Sequence, residues 1–298
     1  YTTLFRSAYI AEKMGLRGNS YESACRANNK YEMRKVFMDA GVPCPKFKLV
    51  QLHEGIEPID FTYPMIVKPV DRSGSLGVAK VNSKAELDDA VENALECSFY
   101  KQAIVEEYVE GREISVEFIS YNGKHYPLQI TDKVTTGSPH FVELEHHQPA
   151  DLSVEMYDRI YTLTDKALTA LGITNGASHS EYRITDGGSI VVMEIGGRMG
   201  GDFIGSDLVE LSTGYDFLQG VIEVALGSFS DPEFTCKKCA GVYFLCKETE
   251  RLLPIMQKTE REKDIVNLEI TNPDLKSVTC SADRSGYVIY QGNKKVRL

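Results

Sequence analysis

Apolar residues along the chain recur with two different periods. Between Asn28 and Ala40, Met33, Val36, Phe37 and Ala40 repeat at helical spacing; Asn28 or Asn29 can cap the element, and Gly41 with Pro43 ends it. Ala8–Leu16 reads as a shorter helix with Ile10, Ala11 and Met14 on one face. Tyr63–Val67, Val78–Val81 and Ala103–Val105 read as strands, and Ser83 with Glu86 forms a capping box for a helix running to about Leu95. From Glu113 onward, Ile114, Val116 and Phe118 alternate with Glu113, Ser115 and Glu117, which predicts a strand with one apolar face. Asp151–Leu171 has the pattern of a long amphipathic helix closed by Gly172. Ser178–Ile184 and Ser189–Ile195 flank Asp186-Gly187, a hairpin signal. Asp207–Leu226 is helical with an interruption at Gly214, and strands return at Gly241–Leu245 and Tyr287–Tyr290.

Composition narrows the class. The 298 residues are 42% hydrophobic and 26% charged, enough for two or three packed lobes. A net charge of -10 without a long Lys/Arg run argues against a nucleic-acid partner. Apolar runs such as Ile190–Met193 are too short to span a bilayer, and no signal-peptide pattern opens the chain, so no membrane role and a cytoplasmic location are expected. Seven cysteines, an odd number, point to reduced thiols. Cys236 and Cys239 have the spacing of half a zinc site, but a structural site takes four ligands, so two thiols on a strand or turn is the better reading. The chain opens on a helix with no preceding strand, which suggests that an N-terminal domain has been cut off; Tyr1–Ser7 carries no cap or clear period.

Candidate chemistry centres on the hairpin. With a loop of two or four residues, Glu181 faces Val192 and His179 faces Glu194, so Glu181 and Glu194 become diagonal neighbours roughly 7 Å apart on one sheet face. Two carboxylates that close repel unless a cation lies between them, and Mg²⁺ takes one or two carboxylates plus phosphate oxygens. Arg198 follows four residues later; a solvated face with scattered charges is the plain alternative. The run Gly196-Gly197-Arg198-Met199-Gly200-Gly201 permits close backbone approach to a ligand, or simply a sharp turn. Ser73-Gly74-Ser75-Leu76-Gly77 can cradle phosphate with backbone N–H groups, with Lys68 aimed at the same place; an ordinary hairpin loop with a surface lysine is the alternative. Glu106, Glu107, Tyr108 and Val109 with Glu113 suit an adenine and ribose slot or a charged linker. Lys133, His140, Glu143, His146 and His147 make a polar stretch. Its adjacent histidines point to opposite sides of any extended backbone, which favours substrate contacts or a mobile loop over a joint metal site. No GxSxG elbow supports serine catalysis.

In order and spacing, these motifs resemble the ATP-grasp superfamily, closest to the carboxylate–amine ligase branch that includes bacterial L-amino-acid (dipeptide) ligases. Biotin carboxylase and D-alanine–D-alanine ligase are more distant likenesses. The similarity runs from about Ala8 to Gly227. It implies an α+β protein with two α/β lobes clamping ATP and a smaller C-terminal α+β piece. Residues 1–43 would then be a remnant of a truncated N-terminal domain with connecting helices, 44–106 the small lobe, 107–230 the large lobe and 231–298 the C-terminal piece. Carried over by position, Lys30 and Lys68 correspond to the ATP-phosphate lysines and Ser73, Gly74, Ser75 and Gly77 to the glycine-rich loop. Glu106, Glu107 and Val109 correspond to the adenine segment and Glu113 to the ribose carboxylate. Glu181 and Glu194 correspond to the metal carboxylates and Arg198 to the arginine that stabilises the intermediate. Lys133, His140, Glu143 and His147, with Asn175–Glu181, resemble the substrate side of the dipeptide ligases. The implied cofactors are ATP and Mg²⁺, with Mn²⁺ as a substitute, and the partners a small carboxylate and a small amine; a homodimer is one assembly left open. Gly196 stands where many relatives carry Asn, so one metal ion is expected more firmly than two. Biotin- or carbamoyl-phosphate-type chemistry, and a regulatory ATP-binding module without turnover, are the competing expectations.

Overall fold

The computed structural model describes residues 2–53, 59–258 and 263–298. The chain divides into two compact units. One takes the residues up to Arg112 with Thr162–Thr174 and Ser180–Gly197; the other takes Glu113–Tyr161, Asn175–His179 and Arg198–Leu298.

In the first unit, α1 (Thr2–Met14), α2 (Tyr21–Asn28) and α3 (Lys30–Asp39) precede a four-stranded antiparallel sheet. Asn29 separates α2 from α3: its extended backbone (φ -99°) breaks the helix, and its side chain accepts from Tyr31 N and Glu32 N at 3.0 and 3.1 Å. Of the two caps expected for this helix, Asn29 is the one used, so α3 starts at Lys30; α2 was not foreseen. Strands β1 (Phe47–Gln51), β2 (Met65–Pro69), β3 (Ala79–Val81) and β4 (Gln102–Glu107) lie in the order β1-β4-β2-β3. Helix α4 (Lys84–Cys97), capped by Ser83, lays Leu87, Ala90, Val91, Ala94 and Leu95 on a core with Met65, Val67, Val81, Ala103 and Val105.

In the second unit, β5 (Arg112–Tyr121, from Glu113), β6 (Lys124–Thr135) and β7 (Glu143–Gln148) form an antiparallel meander. The first half of helix α5 (Val154–Leu171) and the first residues of β8 (Gly176–Ile184) also belong here, while their remainders and β9 (Ile190–Gly196) belong to the first unit. After a π-helical turn at Ile204–Leu208 come α6 (Val209–Thr213), α7 (Phe217–Leu226), β10 (Cys239–Leu245), α8 (Leu253–Met256), β11 (Ile265–Ile270) and β12 (Gly286–Gly292). The sheet runs β11-β12-β10-β7-β6-β5, then the start of β8. Ile204, Leu208, Val209, Phe217 and Val224 cover one face; Leu252 and Met256 pack with Tyr243, Leu245 and Tyr290 on another side. Strand β5 departs from its expected single apolar face: Ser115 and Glu117 are as buried as Ile114 and Val116. Ile119 joins the Phe217 cluster and Phe118 meets the Tyr161 ring, so both faces are covered.

The β8–β9 turn also corrects an expectation. Gly188 N donates to Thr185 O (2.8 Å) and Thr185 N to Ser189 O (3.0 Å), so the loop is the three residues Asp186–Gly188. Gly188 has φ +74°, the left-handed position such a loop needs. An odd loop removes the register that set Glu181 opposite Val192.

Candidate active site

The first unit gathers most of the predicted nucleotide and metal residues. The cap at Asn29 places Lys30 at the start of α3, where its side chain is buried. Lys30 Nζ donates to Arg72 O (2.6 Å) and lies 3.3 and 3.4 Å from the two Glu194 carboxylate oxygens. Lys68, on β2 beside β4, sits 2.7 Å from Glu106 Oε2, and Arg34 Nε lies 2.8 Å from Glu106 Oε1. Burial pulls the Lys68 ammonium below its usual pKa, with Arg34 and Lys30 adding to the shift and Glu106 opposing it. Burial works the other way on Glu106, but the charges of Arg34 and Lys68 prevail and hold its carboxyl low. The Glu106 side chain is thereby occupied between two cations.

Glu194 and Glu181 are half-buried. Along β9, Ile190 and Val192 are buried, Met193 and Glu194 are both half-buried, and Ile195 is buried again. Strict alternation would bury Glu194, and the burial pattern breaks between Met193 and Glu194. On β8, Glu181 is half-buried between buried Ser180 and Tyr182. With the three-residue loop, the hairpin register no longer argues that Glu181 and Glu194 share a sheet face.

Between β2 and β3, Gly74, Ser75 and Gly77 all adopt positive φ, and Ser73 to Gly77 are exposed or half-buried. Glu107 uses its N–H on Lys46 O and Tyr108 on Pro64 O; Val109 is buried.

The second unit holds the rest. Glu113 Oε1 is 3.2 Å from Lys133 Nζ, which lies 3.6 Å from Glu143 Oε1. Glu143 Oε2 takes Arg284 Nη2 at 3.0 Å, Arg284 Nη1 reaches Asp202 at 2.8 Å, and His146 Nε2 is 3.7 Å from the same carboxylate. These form one line of alternating charge, with the Arg284 guanidinium 3.8 Å from the centre of the Phe244 ring. Burial opposes ionisation of Asp202, but hydrogen bonding to His146 and the Arg284 charge hold its pKa far below normal. His140 is exposed. His147 is 2% exposed on the other side of the strand, with its ring nitrogens engaged by Tyr290 OH and Glu145 at 2.9 Å each. His147 was expected to face a substrate; here both of its ring nitrogens are engaged within the protein. Arg198 Nη1 donates to Met199 O (2.7 Å). Gly200 N donates to buried Glu117 (2.9 Å), which also bonds His179; a Cβ at Gly200 would stand 2.7 Å from Glu117 Oε1. Here the close approach that glycine permits is to a side chain of the protein itself.

Arg34, Glu117, Asp202 and Arg284 were not among the residues selected from sequence. Arg34 carried one signal, its i,i+4 spacing from Lys30 on α3. Asp202 and Arg284 are far apart in sequence, in the turns before Ile204 and before β12, and only the folded chain joins them. Among the described residues no cluster of three or more His, Cys, Asp or Glu forms a ready metal site, all seven cysteines are free thiols, and no helix is long and apolar enough to cross a membrane.

Residues 61–207 match the family model of the ATP-grasp domain. The chain is 28% identical over 201 residues to a D-alanine–D-alanine ligase of Geobacter sulfurreducens, covering 62% of this chain and 60% of that protein. It is 28% identical over 218 residues to alanine–anticapsin ligase of Bacillus subtilis, covering 65% and 46%. The chain therefore spans 46% to 60% of the length of these two relatives. An L-amino acid ligase from Bacillus licheniformis shares the fold, with TM-score 0.80 and 24% identity over 96% of this chain and 72% of that one.

Proposed function

From the premise that residues 61–207 form an ATP-grasp domain in a chain of that fold, we propose that the protein is an ADP-forming ligase. It activates a small carboxylate as an acylphosphate and joins it to an amine of amino-acid or peptide type. The observation that carries the reading is the meeting of buried Lys30 with Glu194 at 3.3 Å, beside the Lys68–Glu106 pair. Lysines held this way present N–H donors and charge to phosphate oxygens without reorganising, where most catalysis of phosphoryl transfer arises. Named relatives that are ligases of amino acids support the substrate class.

The donors suit Mg²⁺. Glu181 and Glu194 offer hard carboxylate oxygens of the kind Mg²⁺ takes together with phosphate oxygens and water. Glu181 and Glu194 would hold it, and when bound it would supply charge neutralisation at the phosphates. Lys30 and Lys68 would bind the phosphates, with the Ser73–Gly77 backbone covering them. Glu107 and Val109 would orient the adenine, and Glu113 the ribose. Arg198 would stabilise the oxyanion formed when the amine attacks the acyl carbon. Lys133, His140, Glu143 and His146, now joined by Asp202 and Arg284, would select the carboxylate and amine. ADP release over a panel of amino-acid pairs with Mg²⁺ tests the reading. Glu194→Gln should cut that release by at least about a hundredfold; undiminished turnover in the variant would refute the metal assignment.

A further inference from the structure

Arg34 has no part in the chemistry above, yet its side chain is 0% exposed. A guanidinium stays charged in proteins, and burying it is costly unless its donors are matched. Its Nε meets Glu106 Oε1 at 2.8 Å, and its Nη2 donates to Met193 O at 2.6 Å. The other oxygen of Glu106 holds Lys68. Met193 directly precedes Glu194, and Lys30, which meets Glu194, lies one turn before Arg34 on α3. One planar fork therefore touches the partner of Lys68 and the backbone beside Glu194, from the helix that carries Lys30.

We propose that Arg34 is a positioning residue: by bridging Glu106 and the Met193 carbonyl, it fixes Lys68 and Glu194 relative to Lys30 without touching the nucleotide itself. The inference rests on the reading of Lys30, Lys68 and Glu194 as the Mg·ATP site. The guanidinium shape is essential to it. A lysine keeps the charge but is a point donor that cannot meet both acceptors with the same geometry. A residue serving only the fold would, when replaced, lower the fraction of folded protein and leave the affinity of the folded fraction unchanged. A positioning residue changes the affinity itself.

Mg·ATP titrated calorimetrically into the 298-residue protein separates these cases, using wild type, Arg34→Lys and Arg34→Gln, with thermal melts alongside. Full binding stoichiometry and a Kd raised about tenfold to a hundredfold are expected in both variants, with lysine giving no rescue. Wild-type affinity in a folded variant, or reduced stoichiometry at unchanged Kd, overturns the inference alone. Failure of the wild type to bind Mg·ATP overturns the ATP-site reading, and the inference with it. If neither variant folds, the Arg34 Nε–H resonance of the wild type decides the matter. It should shift on saturation with Mg·ATP, and an unmoved resonance overturns the proposal.

Discussion

His146 and His147 are neighbours in sequence and belong to different environments. His146 faces Asp202 and the Phe244 ring, while His147 is wedged between Tyr290 and Glu145. Burial is the main influence on both and lowers both pKa values, against the opposing pull of Asp202 on one and Glu145 on the other. The sign of the resulting pH dependence follows. An unfolded chain takes up protons on these rings near pH ~6.5, and the folded chain only at lower pH. Their contribution to stability is complete above that range and is lost as pH falls from it toward the folded pKa values. Glu106 and Asp202 are also depressed, but they act only below about pH 4, where unfolded carboxylates protonate. The urea midpoint should therefore fall between about pH 7.5 and about pH 5.5, and His147→Gln should flatten that slope. Parallel slopes in wild type and variant would show that His147 is not a source of the effect.

At the scale of elements, the sequence was most readable where one face is buried and a cap marks the start. Helix α4 is the clear case: Ser83 and the spacing of Leu87, Ala90, Val91, Ala94 and Leu95 leave little room for another reading. Strand β5 was half-readable, because polar Ser115 and Glu117 alternate with apolar residues yet are buried, and only the packing of other elements decides that. The hairpin was found, but its loop length was missed; a glycine at the third loop position is invisible to a rule that stops at Asp-Gly. The candidate site shows the same division. Lys30, Lys68 and Glu194 could be picked out by motif order, whereas Arg34 looks like any helical arginine until its burial is known. The start of α3 links element to site. Asn29→Ala removes the acceptor for Tyr31 N and Glu32 N and should cost about 1 kcal/mol in urea unfolding, with Asn29→Ser recovering most of it. An equal loss in the serine variant would mean that the cap is not what Asn29 supplies.

The whole molecule consists of two compact units, and the proposed phosphate and metal residues Lys30, Lys68, Glu181 and Glu194 fall in one of them. A ligand that binds only the folded state stabilises it by mass action, so calorimetric melting can show which unit binds. At a free concentration about a hundred times Kd, Mg·ATP should add about 2.7 kcal/mol. If the whole chain melts as one transition that is a rise of roughly 4 °C, and about twice that if one unit melts alone. If the units melt separately, the shift should fall on the transition of the unit containing Lys30, because the cluster built on α3, β2, β4 and β9 is the part the phosphates would hold together. The dependence on metal is the stricter part. With Glu181 and Glu194 as the carboxylates, ATP in the presence of chelator should give a smaller shift than Mg·ATP, since two acidic groups would then repel the phosphates. Glu194→Gln removes one of those charges. In that variant the gap between ATP and Mg·ATP should narrow from both sides, with the metal adding less and free ATP repelled less. A gap as wide as in the wild type would move the metal away from Glu194.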